Sequence, residues 1–265
     1  TSEWEEPDPI PWQAIMGREG NIYETYDEFM DAEGHRDWPS IAVYFYRDEW
    51  IMGDIEYQQA LFEEIYKHQY NPIIFYGQYG SNPRVGIPNM KLSMNHLFGK
   101  DIFPFDVLIN TCKFSFQSLG AQTLEELKLQ DVPIVQGYTI YMDEKSWAEN
   151  PQGVTPLDVN LSISQPELDG VIQGGVVACQ TFDERGHYVY LPVKERIAAV
   201  VQRAIKWSKL RHIPVSERKI AIILHNYPPK NSNIGSAAGL DTPESVLRLL
   251  AQLKEEGYLV DTCLL

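Results

Sequence analysis

The chain has 265 residues, 44% of them hydrophobic, which is enough to bury one large core or two smaller ones. With 22 Lys and Arg against 37 Asp and Glu, its net charge of −15 repels phosphate backbones and anionic bilayers, and excludes nucleic acid as a general partner. Cys112, Cys179 and Cys263 stand far apart with no CxxC pair, so neither a disulfide framework nor a zinc cluster is indicated and a cytoplasmic setting is expected; no run approaches the roughly 18 apolar residues of a membrane span.

Residues 1–38 read as an acidic lead-in, with Glu3, Glu5, Glu6 and Asp8 among prolines and a helix near Tyr23 to Ala32. Thr1 at the start, and the apolar Val260 to Leu265 at the end, read as a chain cut on both sides. Residues 39–137 read as a parallel-sheet domain. Ile41-Ala42-Val43-Tyr44-Phe45-Tyr46 is a continuous β-branched and aromatic run, as expected of a strand covered on both faces. Ile55, Phe62 and Ile65 then recur at helical spacing until Asn71-Pro72, and Ile73 to Tyr76 form the next strand. Asp106 to Asn110 supplies a further strand, Leu124 to Leu129 a short helix, and Val132 to Val135 another strand. Strand and helix in alternation predict an α/β fold with a parallel, Rossmann-like sheet and right-handed crossovers.

Residues 138–217 read as an irregular connecting region: between Tyr138 and Leu191 the helical rhythm gives way to loops, short strands and Gly174-Gly175. A long helix follows Pro192, with Val193, Ile197, Val200, Val201, Ala204 and Ile205 on one stripe and basic residues around the rest. Residues 218–265 read as the truncated start of a second α/β unit. Ile220 to Leu224 is its expected buried strand, Thr242 its helix cap, Pro243 the first helical residue, and Gly257 the left-handed stop.

The loop His225 to Asp241 follows a strand and precedes a helix, the place where α/β proteins hold ligands on backbone N–H groups. It lacks the Lys-Ser/Thr end of a P-loop and the spacing of the dinucleotide fingerprint. His225, Asn226, Asn233, Gly235 and Asp241 are its substrate-binding candidates, although small residues that let helix and strand approach would read the same way. Glu167 and Asp169, one residue apart before Gly170, could act as proton acceptors or as a passing metal port; Pro-Glu-x-Asp-Gly is equally good turn chemistry. The histidines have no ligand spacing, so no stable metal centre is expected. Tyr44, Phe45, Tyr46, Tyr76, Tyr79, Tyr138 and Tyr141 are expected to pack the core rather than stack a flat ligand.

His225-Asn226-Tyr227-Pro228-Pro229, Asn233-Ile234-Gly235-Ser236-Ala237-Ala238-Gly239-Leu240-Asp241 and Glu256-Gly257-Tyr258, in that order, resemble the cobaltochelatase large subunit (CobN type) and the magnesium chelatase H subunit. The likeness extends to Tyr44 to Arg47 with Trp50 and Gly53, to Asp106 to Asn110, to Val132 to Gln136, and to Pro166 to Gly170. Ala238 to Pro243 looks more like the cobalt branch. The resemblance implies ATP-driven insertion of Co2+, or Mg2+ in the sister branch, into a tetrapyrrole held by the large subunit. Separate AAA+ subunits would use ATP and Mg2+, and nothing would be bound stably as a cofactor. The remainder of the same large subunit would be a further partner. The family motif His-x-Gly-Thr-His-Gly does not occur in this sequence, so the chain alone is expected to be inactive. Two readings of another class remain: a non-catalytic small-molecule binding module with two α/β lobes, and an α/β transferase for a phosphorylated donor.

Overall fold

The computed structural model describes residues 9–78, 82, 84, 86–99, 102–119, 125, 127–236 and 239–261. They form two compact units, Thr1–Ser208 and Lys209–Leu265.

The first unit is built on one eight-stranded sheet: β1 Ala14–Met16, β2 Ile22–Tyr23, β3 Ser40–Tyr46, β4 Asn71–Gly77, β5 Val107–Asn110, β6 Ile134–Ile140, β7 Ile172–Phe182 and β8 Tyr188–Pro192, in the order β2-β1-β4-β3-β5-β6-β7-β8. The five strands from β4 across to β7 run parallel, flanked on one side by antiparallel β1, which pairs antiparallel with β2, and on the other by antiparallel β8. The expected α/β fold is therefore present. In its parallel part the chain begins at β3, steps sideways to β4, then returns past β3 to β5, β6 and β7. That reversal between β3 and β5 opens a crevice at the carboxyl ends of the strands, where ligands of open α/β sheets bind.

The helices are α1 Tyr26–Ala32, α2 Arg47–Met52, α3 Glu56–Lys67, α4 Met90–Phe98, α5 Glu144–Glu149, α6 Lys194–His212 and α7 Thr242–Glu255. Between α5 and β7 runs a helical segment with a turn at Pro156–Asp158, a π-helical stretch Val159–Ser164 and a second turn at Gln165–Glu167. The long apolar runs behave as their composition dictates. Ile41, Ala42, Val43, Ile73 and Ile74 are fully buried, as are Tyr57, Leu61 and Ile65 on the inner face of α3. Ile197, Val200, Val201, Ala204 and Ile205 of α6 are buried together, as its stripe requires. Tyr44, Phe45, Tyr76 and Tyr138 are core residues, Tyr46 is half-buried and Tyr141 lies at the surface. Tyr79 lies outside the described residues.

Two stretches of the first unit depart from the sequence reading. The lead-in supplies β1, whose residues are completely buried against β4, and α1 starts at Tyr26 behind a Thr25 cap rather than at Tyr23. The stretch from Tyr138 to Leu191, expected to be irregular, completes the sheet with the end of β6 and the β7–β8 hairpin. Its pattern is disguised because β6 and β7 slip register at Gln136/Gly137 and Tyr138/Thr139, and glycine is needed where the strands crowd. A Cβ on Gly174 would sit 2.2 Å from the Gln136 carbonyl oxygen. Of the helix expected over Leu124 to Leu129, Glu125 and Leu127 to Leu129 are helical, while Leu124 and Glu126 lie outside the described residues.

In the second unit α7 forms as expected, but Ile220 to Leu224 is an irregular, exposed segment rather than a buried strand, with Ile223 92% exposed. A strand is held by a ladder to a neighbour, and the described part of this unit offers only an isolated bridge, Asn226 to Ile234. Tyr258 to Asp261 is likewise irregular, and the rest of that expected strand lies outside the described residues. The cap of α7 is Asp241, one residue earlier than expected, accepting from the Glu244 N–H at 3.1 Å.

Candidate functional site

The loop leaving β5 at the reversal point is held from every side. Asn110 donates to the Gln136 Oε1 at 2.8 Å, and both side-chain amides donate to the Cys112 carbonyl, at 3.1 and 2.8 Å. The Thr111 N–H and hydroxyl both donate to the Tyr44 carbonyl, at 3.0 and 2.9 Å. The Tyr46 hydroxyl accepts from the Lys113 N–H at 2.8 Å and donates to its carbonyl at 3.2 Å. Phe114 takes a left-handed backbone with φ of 70°, and its N–H donates to the Leu161 carbonyl in the π-helical stretch at 2.7 Å. A non-glycine residue in that conformation, beside a π-helical stretch, is the kind of local strain that gathers at functional sites.

This loop carries Lys113 into the protein. Its side chain is 94% buried, being only 6% exposed, and its ammonium donates to Thr139 Oγ1 and to the Tyr190 hydroxyl, each at 3.0 Å. The Tyr141 ring covers it, with the ring centroid 4.0 Å away. No carboxylate forms a salt bridge with it among the described residues. Burial pulls its pKa down to about 8, against the attraction of Asp158 and Glu49.

Beside it, Glu49 of α2 is half-buried, and its pKa is pushed up to about 8, first by desolvation and then by Asp54, against the Tyr57 hydrogen bond. Its Oε2 receives the Tyr57 hydroxyl at 2.6 Å and the Gln58 amide at 2.7 Å. Tyr57 Oη also lies 3.2 Å from Thr111 Oγ1, whose hydroxyl donates to the Tyr44 carbonyl. Asp54 accepts from the Tyr190 N–H at 3.0 Å and ties β8 to the same end of the sheet. The arrangement brings an ammonium group, a carboxyl group and several hydroxyls into one strand-end cluster.

Of the residues expected from sequence, Asp169 belongs here: its carboxylate accepts from the Ser115 hydroxyl at 2.7 Å and from the Phe116 N–H, clamping the β5 loop. Glu167 sits exposed at the end of the π-containing segment, two residues from Asp169 in the chain. The other candidates lie in the second unit. His225 is exposed and its carbonyl accepts from the Gly235 N–H at 2.6 Å; Asn226 accepts from the Lys230 N–H at 3.2 Å; Asn233 donates to the Pro228 carbonyl at 2.7 Å. Gly235 has φ of 68°, and Asp241 caps α7. Their polar groups thus serve the loop's own shape. Among the described residues no three His, Cys, Asp or Glu side chains gather as a metal site, and no helix is long and apolar enough to cross a membrane.

A family model described as CobN/Magnesium Chelatase matches residues 1–264. The chain belongs to that family. The uncharacterized protein MJ0908 of Methanocaldococcus jannaschii is 33% identical over 98% of this chain and 22% of its own length. Aerobic cobaltochelatase subunit CobN of Pseudomonas aeruginosa is 26% identical over 97% of this chain and 20% of its own length. The solved catalytic subunit of cobaltochelatase from Mycobacterium tuberculosis shares the fold, with a TM-score of 0.73 at 24% identity, over 97% of this chain and 20% of that one. The chain therefore spans about a fifth of the length of these relatives. Sequence reasoning singled out Asp169, which holds the β5 loop by hydrogen bonds, and passed over Lys113, Glu49 and Tyr190. The available signal was a lysine three residues beyond an apolar strand; its weight depends on strand order, which the local sequence does not state.

Proposed function

We propose that the chain is part of the tetrapyrrole-binding large subunit of an ATP-dependent metal chelatase, most simply one that inserts Co2+ into a corrin precursor in cobalamin biosynthesis. The observation that carries this reading is the family match along residues 1–264. The long alignment with a relative that bears the cobaltochelatase name favours the cobalt branch. The sequence has no P-loop, which suits a division of labour in which AAA+ partner subunits hydrolyse ATP and this subunit holds the ring. Metal insertion must remove protons from pyrrole nitrogens, so a site with titratable groups held away from water suits the chemistry. Insertion of Mg2+ into protoporphyrin is the second reading, because the family model covers both branches.

Spectroscopic titration of the full-length subunit with corrin precursors and with porphyrins tests this. Selective binding of a corrin precursor is expected; preference for protoporphyrin would move the assignment to the magnesium branch, and binding of neither would end the chelatase reading. Glu167, exposed beside the clamp on the β5 loop, is the proposed proton acceptor or metal port. Glu167→Gln in the full-length subunit is expected to abolish chelation and leave the thermal midpoint unchanged, and wild-type turnover would remove Glu167 from the mechanism.

A further inference from the structure

No carboxylate contacts the Lys113 ammonium among the described residues, and Asp158 and Glu49 act on it only from a distance. A buried ammonium without a counter-ion is expensive, and the usual remedies are a salt bridge or loss of the proton. Here two of its three N–H donors meet neutral hydroxyl oxygens, Thr139 Oγ1 and Tyr190 Oη, and the third side has the Tyr141 ring. Asp158, fully buried nearby, directs its carboxylate to the Tyr141 N–H at 3.2 Å and the Thr155 hydroxyl at 2.7 Å. Glu49 is engaged with Tyr57 and Gln58. The position is also the one where a ligand would arrive, at the carboxyl end of β5 beside the reversal of strand order.

The cover is movable in a way the rest of the cluster is not. Tyr141 is the first residue beyond β6 and is 41% exposed, whereas Thr139 and Lys113 are fixed within the sheet and its clamped loop. Rotation of an exposed side chain is fast and inexpensive. It would exchange the π-face over the ammonium for an incoming anion, leaving the two hydroxyl contacts in place.

We propose that Lys113 is a recognition site for a carboxylate of the ligand, with Thr139 and Tyr190 orienting the ammonium and Tyr141 as its removable cover. The proposal rests on the tetrapyrrole reading above, since the acid side chains of an early macrocycle are the carboxylates in question. A charge-assisted contact of this kind, made in a site shielded from water, is worth roughly tenfold in affinity.

The test uses the full-length subunit and two probes, cobyrinic acid and its heptamethyl ester, with binding followed by absorbance. Wild type is expected to bind the acid about tenfold more tightly than the ester. Lys113→Met, which keeps the length of the side chain, is expected to weaken acid binding about tenfold and leave ester binding unchanged; Tyr141→Ala is expected to keep the acid preference. Equal acid affinity in wild type and Lys113→Met, with both binding the macrocycle, overturns the carboxylate site while leaving the tetrapyrrole reading intact. Wild type that binds neither probe overturns both. Should Lys113→Met fail to fold, Lys113→Arg and Tyr141→Ala decide: loss of the acid preference in Tyr141→Ala, or its absence in wild type, overturns the proposal.

Discussion

Two segments of this chain are written in nearly the same letters and end in different states. Ile41-Ala42-Val43 is the fully buried centre of β3, whereas Ile220-Ala221-Ile222 is exposed and irregular. The first runs straight into helix α2, and the second reaches α7 through a long loop. The difference lies in neighbours: β3 is flanked by β4 and β5, which take up its N–H and C=O groups in parallel ladders, and the described part of the second unit has no strand to do so. Helix α7 forms regardless because its hydrogen bonds close within the segment. Among the described residues from 209 onward, only Gly235 is buried. An apolar run therefore proposes a strand, and the partners on either side decide whether it exists.

The largest expected effect puts that comparison to the test. Ile41→Ala should destabilise the chain by about 2–5 kcal/mol through lost burial and the cavity it leaves. Ile223→Ala, at a site 92% exposed, should stay within about 0.5 kcal/mol. Urea unfolding of both variants measures this. A loss at Ile223 as large as that at Ile41 would mean that Ile220 to Leu224 is packed in solution.

The same contrast explains what could be read in advance. Strand β3, helices α3 and α6, and the existence of α7 follow from local periodicity and from the caps and stops that flank them. The extent of β7 and its place in the sheet were not legible because Gly174 serves a close approach between strands, a property of the pair and not of either segment. The candidate site suffered twice. Lys113 became legible only with the reversal of strand order, and its partner Tyr190 only with the β7–β8 hairpin. Asp169 was visible as turn chemistry, yet the loop it clamps lies 53 residues earlier in the chain.

A second effect separates the two regions by pH. Glu49 has a folded pKa of about 8 against 4.5 in its unfolded reference, so between those values the folded state keeps a proton that the unfolded state releases. Its contribution to stability is complete below about pH 4.5 and is lost as pH rises through 8, by up to about 1.4 kcal/mol per pH unit. Lys113 is shifted the other way, from 10.5 to about 8, so its contribution is present above 10.5 and lost as pH falls through 8. Stability of the sheet unit should therefore fall as pH rises from about 4.5 to 8. Glu49→Gln is expected to flatten that fall, as seen in denaturation curves across this range; an unchanged profile would show that Glu49 does not carry the proton.

The smallest expected effect concerns what local bonding alone can hold. Asp241 accepts from the Glu244 N–H at 3.1 Å, while the adjacent Thr242 turns its hydroxyl to the Gly235 carbonyl. The two side chains divide their tasks: one starts α7, the other fastens the loop before it. Asp241→Ala should therefore cost about 1 kcal/mol of helix stability, read as faster amide exchange at Glu244 and along the first turn. Thr242→Ala should leave that turn protected and speed exchange at Gly235 instead, whose N–H meets the His225 carbonyl at 2.6 Å. If both substitutions loosened the first turn equally, the cap would be shared, and the loop and helix of this unit would have to be treated as one cooperative element despite the lack of a core beneath them.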